Sequence, residues 1–248
     1  MKRVRGYLAV GAAAYLLILV VNFPAGFIRD QLQAALPGLE LGTVSGSVFS
    51  GHSSPADFRG FPLGTVTWQL RPQALLLLRL EYGLSFTHPD NSGTLKIGIG
   101  PGGDVHGRAL EMQLAPAPLV NRFSPMALET RGMLNVSLAS FDIEDARLQS
   151  LTGTADWQDA AIESPLLLPL GEVALSLENN ADTIIGTVVK GGELGLSGDI
   201  VFAPGGRYDV DLLLRPADSV DAATRELIAS MMQPGASGAY VLKTAGSL

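Results

Sequence analysis

The sequence contains no cysteine, and charged and aromatic side chains are scarce, at 17% and 6% of residues. Without cysteine there is no disulfide, no thiolate metal site and no cysteine nucleophile. The compartment stays open, because a domain large enough to bury a core stands without disulfides. Histidine is nearly absent too. His52, His88 and His106 share no short metal-ligand spacing and form no H-E-x-x-H pattern, so they read as polar residues in or near turns. Long charge-rich amphipathic stretches are also missing, which argues against a fold built from soluble helices.

What the chain does have is apolar residues, 47% of 248, together with 29 glycines and 15 prolines. That suits one or two domains with a real core and many turns between short elements. The net charge is −7, unevenly spread. Setting aside Lys2, Arg3 and Arg5 leaves 14 basic against 24 acidic residues, or −10 for the rest. A body of that sign repels phosphates and is a poor nucleic-acid binder.

Gly6 to Ile28 carries no charge over 23 residues. As a helix that is about 34 Å, enough for a hydrocarbon core of about 30 Å. Lys2, Arg3 and Arg5 precede it, which places the amino terminus in the cytoplasm and the remainder outside. The rival is a cleaved signal peptide. Cutting after Ala25 would put Phe23 where a small residue is wanted, so an uncleaved anchor over residues 1–28 is the favoured reading. Pro24 kinks or ends the span. Phe27 to Leu36 then reads as a short amphipathic helix at the membrane surface, ended by Pro37-Gly38, and residues 29–38 as the membrane-proximal helix and linker.

From residue 39 to 248 the dominant signal is period-two alternation. Val66, Trp68 and Leu70 alternate with polar residues, as do Leu80, Tyr82, Leu84 and Phe86. The same pattern recurs at Leu95 to Ile99, Leu110 to Leu114, Leu134 to Leu138, Val173 to Leu177 and Tyr208 to Leu212. Each strand therefore has one apolar and one polar face. Turns are expected at Asp90 to Gly93, Pro101 to Gly103, Asn179 to Asp182 and Pro204 to Gly206. Val220 to Met232 reads as a helix with Val220, Thr224, Leu227, Ile228 and Met231 on one face, capped by Asp218 or Ser219. Pro118 to Ala127 holds an irregular helical turn, and Ala239 to Lys243 a final strand. The fold class is mainly β: an N-terminal transmembrane helix, then a curved antiparallel sheet resembling an open barrel, with one or two short helices. Gly64-Thr65-Val66-Thr67-Trp68-Gln69 is echoed by Gly153-Thr154-Ala155-Asp156-Trp157-Gln158. The echo suggests two related β-layers, about 39–140 and 141–248.

No catalytic pattern is legible. Gly98-Ile99-Gly100-Pro101-Gly102-Gly103 lacks the helix that a phosphate-binding loop needs and reads as a hairpin. Ser45, Ser47 and Ser50 do not form a G-x-S-x-G elbow. Glu144 and Asp145, like Asp156 and Asp159, read as solvated turn or strand-end carboxylates. Catalytic, metal and cofactor sites are all expected to be none, and the protein is not expected to be an enzyme.

Several blocks carry a resemblance when taken in order. They are Phe23-Pro24-Ala25, then Gly42 to Gly51, then Leu63 to Pro72 followed by Leu75 to Leu78. Leu151 to Trp157, Leu170-Gly171, Gly191 to Gly198 and Gly238 to Leu242 with Gly246 complete the series. This order resembles the protein N (GspN) family of the type II secretion system over nearly the whole chain. Phe49 is a departure, standing where the family more often has Trp. The resemblance implies an accessory, single-pass inner-membrane component of a Gram-negative machine that exports folded proteins across the outer membrane. It implies an amino terminus in the cytoplasm and the bulk of the chain in the periplasm. The implied partners are other inner-membrane and periplasmic subunits, with no catalytic residues to carry over.

The candidate site is the apolar face formed by Val66, Trp68, Leu70, Leu80, Tyr82 and Leu84. Two readings are open. As a packing face it lies against a second sheet or the carboxy-terminal helix, which is the favoured reading. As an open groove it could hold acyl chains, making the chain a periplasmic lipid-handling protein of the AsmA or LptC type.

Overall fold

The computed structural model describes Gly11, Tyr15 and residues 22–247, except 76–79, 101–104, 124–126, 145–146, 165–166, 181, 204–205, 218–219, 221, 232 and 236–237. Most of the anchor expected over Gly6–Ile28 therefore lies outside the described residues, as do the expected caps Asp218 and Ser219 and the turn at Pro101–Gly103. Among the described residues no helix is long and apolar enough to cross a membrane. The chain divides into two compact units, Met1–Ser92 and Gly93–Leu248.

The first unit is a meander of β1 (Leu39–Gly46), β2 (Ser50–Phe58), β3 (Phe61–Leu70) and β4 (Leu80–Thr87), each antiparallel to the next. Arg59-Gly60 is the two-residue turn between β2 and β3, with φ of 52° and 80°. Positive φ at both positions matches the twist of the flanking strands. The turn at the end of β4 is His88 to Asn91 rather than Asp90 to Gly93. It is closed by the His88 N–H donating to the Asn91 carbonyl at 2.7 Å, so Ser92 and Gly93 already belong to a strand.

The amino-terminal segment is tied down at both ends. The Val48 N–H donates to the Phe23 carbonyl at 2.9 Å, and Pro24 forms a bridge with Ser47. A 3₁₀ turn (Ala25–Ile28) and α1 (Arg29–Ala35) follow, and the Leu39 N–H donates to the Leu36 carbonyl at 3.0 Å. Both helical pieces pack on β1. Residues 24–36 span about 20 Å in these conformations, close to the roughly 25 Å of β1. The segment thus runs back along the outer side of β1, and Ala25 is buried there.

The second unit is a longer meander. It comprises β5 (Ser92–Ile99), β6 (Val105–Leu114), β7 (Glu129–Glu144), β8 (Arg147–Ser164), β9 (Leu168–Asn180), β10 (Thr183–Gly191), β11 (Ser197–Phe202) and β12 (Arg207–Leu214). They lie side by side in chain order, followed by β14 (Tyr240–Ser247) and then the two-residue β13 (Gln233–Pro234). Residues 140 and 141, the expected layer boundary, fall inside β7. Short helices are more numerous than the expected one or two. α2 (Pro72–Leu75) follows β3, α3 (Ala117–Phe123) follows β6, and α4 (Ala222–Met231) lies between β12 and β13.

Two apolar clusters hold this unit. Ala160, Leu170, Leu194 and Leu214 meet Val220 and Ile228, so α4 and the residue leading into it cover one end of the sheet. Ile228 is 3% exposed, a burial that contributes about 1.5–3 kcal/mol. Leu110, Leu138 and Phe141 form the second cluster.

Glycine-rich strands keep their packing because aromatics lie over the glycines. The Phe141 ring fills the space beside its register partner Gly107. Tyr208 covers Gly246, also its partner in register; a β-carbon there would stand 2.5 Å from the Tyr208 Oη.

Candidate functional site

The six candidate residues occupy adjacent strands of the first unit. Register pairs Trp68 with Leu84 and Leu70 with Tyr82, while Val66 faces Phe86. Directly opposite residues share a face, so all six lie on one side of β3 and β4, in a row that Phe86 completes. Their burial is uneven. Val66, Trp68, Leu70, Tyr82 and Leu84 are half-buried, and Leu80, at the start of β4, is 44% exposed. Burial raises the Tyr82 phenol above its usual range.

Trp68 is the best-anchored of the six. Its Nε1 donates to the Ser47 carbonyl at 3.0 Å. To get there the indole crosses Gly51 on β2, where a β-carbon would stand 2.5 Å from Cζ2. The ring therefore braces the β1–β2 turn, in which the Ser47 N–H also donates to the Ser50 carbonyl at 2.8 Å. Sequence periodicity places Trp68 on an apolar face but cannot name Gly51 or Ser47 as its contacts.

A depression of about 360 Å³ is lined by Ser50, Gly51, Thr67, Trp68, Gln69, Arg71, Gly83, Leu84 and Ser85. Of the six candidates only Trp68 and Leu84 reach it. The rest of its wall is largely polar, with the Thr67 and Ser85 hydroxyls 2.6 Å apart. Arg71 lies at its margin, held by the Glu81 carboxylate at 2.9 Å.

One polar cluster was not legible in the sequence. His106 Nδ1 lies 2.6 Å from Asp142 Oδ1, and Ser150 Oγ donates to Asp142 Oδ2 at 2.6 Å. The residues come from β6, β7 and β8, and strand register brings them together. The hydrogen bonds to Ser150 and His106 hold the Asp142 carboxyl below the usual range. The arrangement is not that of a nucleophilic serine. Such a serine gives its proton to imidazole, whereas Ser150 donates to the carboxylate. His88 lies in the turn after β4 and His52 is exposed on β2. Among the described residues no three His, Asp or Glu side chains converge as a metal site would require.

Comparison with known proteins adds a separate line. The family model described as "Type II secretion system (T2SS), protein N" matches residues 37–243. A curated type II secretion system protein N from Vibrio cholerae serotype O1 is 25% identical over 257 residues, covering 100% of both chains. One from Aeromonas hydrophila is 26% identical, with 97% of each chain covered. One from Klebsiella pneumoniae is 28% identical, with 88% of this chain and 86% of the relative covered. No solved structure matches this chain significantly.

Proposed function

This chain belongs to the type II secretion system protein N family, and from that membership we propose that it works as an accessory component of the secretion system by binding other subunits rather than by catalysis. The observation that carries the proposal is the extent of the match. It runs through both β units and, in one relative, end to end, so it concerns the whole architecture and not one motif. The proposed setting is the inner membrane, with a single N-in anchor within residues 1–28 whose membrane-crossing part ends by Pro24, where the chain docks on the β1–β2 turn, with residues 29–38 as the membrane-proximal linker and the β units in the periplasm. The charge distribution at the amino terminus supports that setting.

The proposed mode of binding is strand addition at β14. The helical segment occupies the outer side of β1. β13 covers β14 only at Tyr240 and Val241, and beyond them its outer edge has no strand partner among the described residues. Unpaired edge N–H and C=O groups accept a partner strand, and alternating side chains select it. The lipid-handling alternative lacks a supporting observation, since the 360 Å³ depression leaves out four of the six apolar candidates.

The test is photo-crosslinking in the native membrane from the full-length chain, with the crosslinker at Thr244 or Ser247, followed by lipid extraction of the purified protein. Capture of secretion subunits is the expected result. Stoichiometric lipid with no subunit captured would overturn it. Proline placed in turn at Thr244 and Ala245 separates the two sides of the strand, since successive N–H groups point opposite ways. The proline that faces away from β12 should weaken capture more than alanine at the same position, because it removes a free donor.

A further inference from the structure

Apart from Leu80 on β4, the large exposed apolar side chains described in the folded part of the first unit lie along or beside the amino-terminal segment. Phe27 is 69% exposed, Leu36 50%, Phe23 41% and Leu32 40%. The Phe23 and Phe27 rings sit 5.7 Å apart. Phe58, 39% exposed, adjoins the far end of the segment, because it pairs with Leu39 and the Arg59 N–H donates to the Gly38 carbonyl at 2.7 Å. Five large apolar side chains therefore stand open on a surface that is fixed, not floppy. The Phe23–Val48 and Leu36–Leu39 hydrogen bonds pin the segment at both ends, and buried Ala25 seats its inner side. A patch of this kind on a soluble surface calls for a partner.

We infer that this patch faces lipid, lying in the headgroup–acyl boundary of the bilayer and holding the first unit in one orientation against it. The inference rests on the reading of residues 1–28 as an anchor. Continuity argues for lipid as the occupant: the uncharged run Gly6–Ile28 passes directly into the patch, and Phe23 and Phe27 belong to both. A chain leaving a bilayer at Pro24 delivers the next dozen residues to the interface, where Phe and Leu side chains settle about 5–10 Å deep. Charge plays a small part. Arg29 and Arg59 are offset by Asp30 and Asp57 in the same region, so apolar area rather than anionic headgroups carries the contact. The consequence for function is geometric. A flexible tether would let the first unit tumble, whereas a seated patch holds β1 to β4 at one orientation to the bilayer.

The absence of cysteine makes the test clean. Full-length Phe27→Cys and Leu36→Cys chains, and a Gln69→Cys control on an exposed β3 position, each take one environment-sensitive fluorophore. They are reconstituted in phosphatidylethanolamine–phosphatidylglycerol vesicles, and flotation after an alkaline wash reports the anchor independently. The labels at positions 27 and 36 should escape an aqueous quencher, respond to a lipid-borne nitroxide and stay unchanged as the phosphatidylglycerol fraction falls; the label at position 69 should remain open to water. Labels that stay water-accessible on a chain that floats would overturn the patch and leave the anchor standing. Labels in native membranes that are shielded from water yet untouched by the lipid quencher would assign the patch to a protein partner and overturn the inference as well. A chain that does not float would remove both the anchor and the patch.

Discussion

The indole Nε1 of Trp157 donates to the carbonyl oxygen of Arg131 at 2.9 Å, passing beside Gly132 on the preceding strand. Trp68 does the same in the first unit, crossing Gly51 of the preceding strand to reach the Ser47 carbonyl. The Gly-Thr-x-x-Trp-Gln echo is thus an echo of structure: a tryptophan four residues after a strand glycine, lying on a glycine of the neighbouring strand and ending on a main-chain oxygen. In the second unit irregular register helps to aim it. β7 and β8 slip between Arg131 and Met133, and β8 and β9 slip between Trp157 and Ala160. Such bulges bend a strand and redirect its side chains.

Trp157→Phe keeps most of the ring's area and loses the hydrogen bond, so it should cost about 1 kcal/mol. Trp157→Ala also uncovers Gly132 and part of the α4 cluster. With the ring half-buried, the loss should fall near the lower end of aromatic truncations, about 3 kcal/mol. Denaturant unfolding of the full chain in detergent measures both. A Phe variant as unstable as the Ala variant would show that the hydrogen bond, not the ring, holds this site.

Gly107→Ala should destabilise the protein by about 1–3 kcal/mol, because the new methyl group meets the Phe141 ring. Combining it with Phe141→Leu should cost less than the two single changes added together, since the smaller side chain vacates the same space. Strict additivity in the double-mutant cycle would rule out the glycine–aromatic pairing as the cause.

Asp142 carries a pH-dependent contribution with a definite sign. Its carboxyl is held below the usual range by Ser150 and His106, with Arg108 adding a smaller effect. A carboxyl more acidic when folded than when unfolded adds stability above the unfolded pKa, and that stability fades as pH falls through the folded value. At neutral pH Asp142→Asn should therefore be the less stable protein, by a small margin because the pair is about half exposed. The gap should close below about pH 4. A gap that widens on acidification would contradict the assignment.

Ile228→Ala should loosen α4 from the sheet and cost about 2–5 kcal/mol, as expected for a residue 3% exposed among Leu170, Leu194 and Leu214. Arg225→Ala removes a hydrogen bond to the Val220 carbonyl at 2.9 Å and should cost less. Equal losses from the two would point to helix ending rather than core packing.

The sequence by itself determined the β character of the chain, the alternating faces of β3, β4, β7 and β12, and the buried helical face of Thr224 and Ile228. These follow from local periodicity, which side-chain geometry imposes on any strand or helix. It also carried the family resemblance, because the order of turn and strand blocks is a linear property. Tertiary structure alone decided the rest. β2 is too polar to announce itself, with Ser50, His52, Ser53, Ser54 and Asp57 in nine residues, and it is a strand because β1 and β3 satisfy its backbone. The glycines under Trp68, Trp157 and Phe141, the carboxylate shared by His106 and Ser150, and the helical segment laid along β1 join residues distant in the chain. Register and bulges choose those partners, and neither is written in any local pattern of residues.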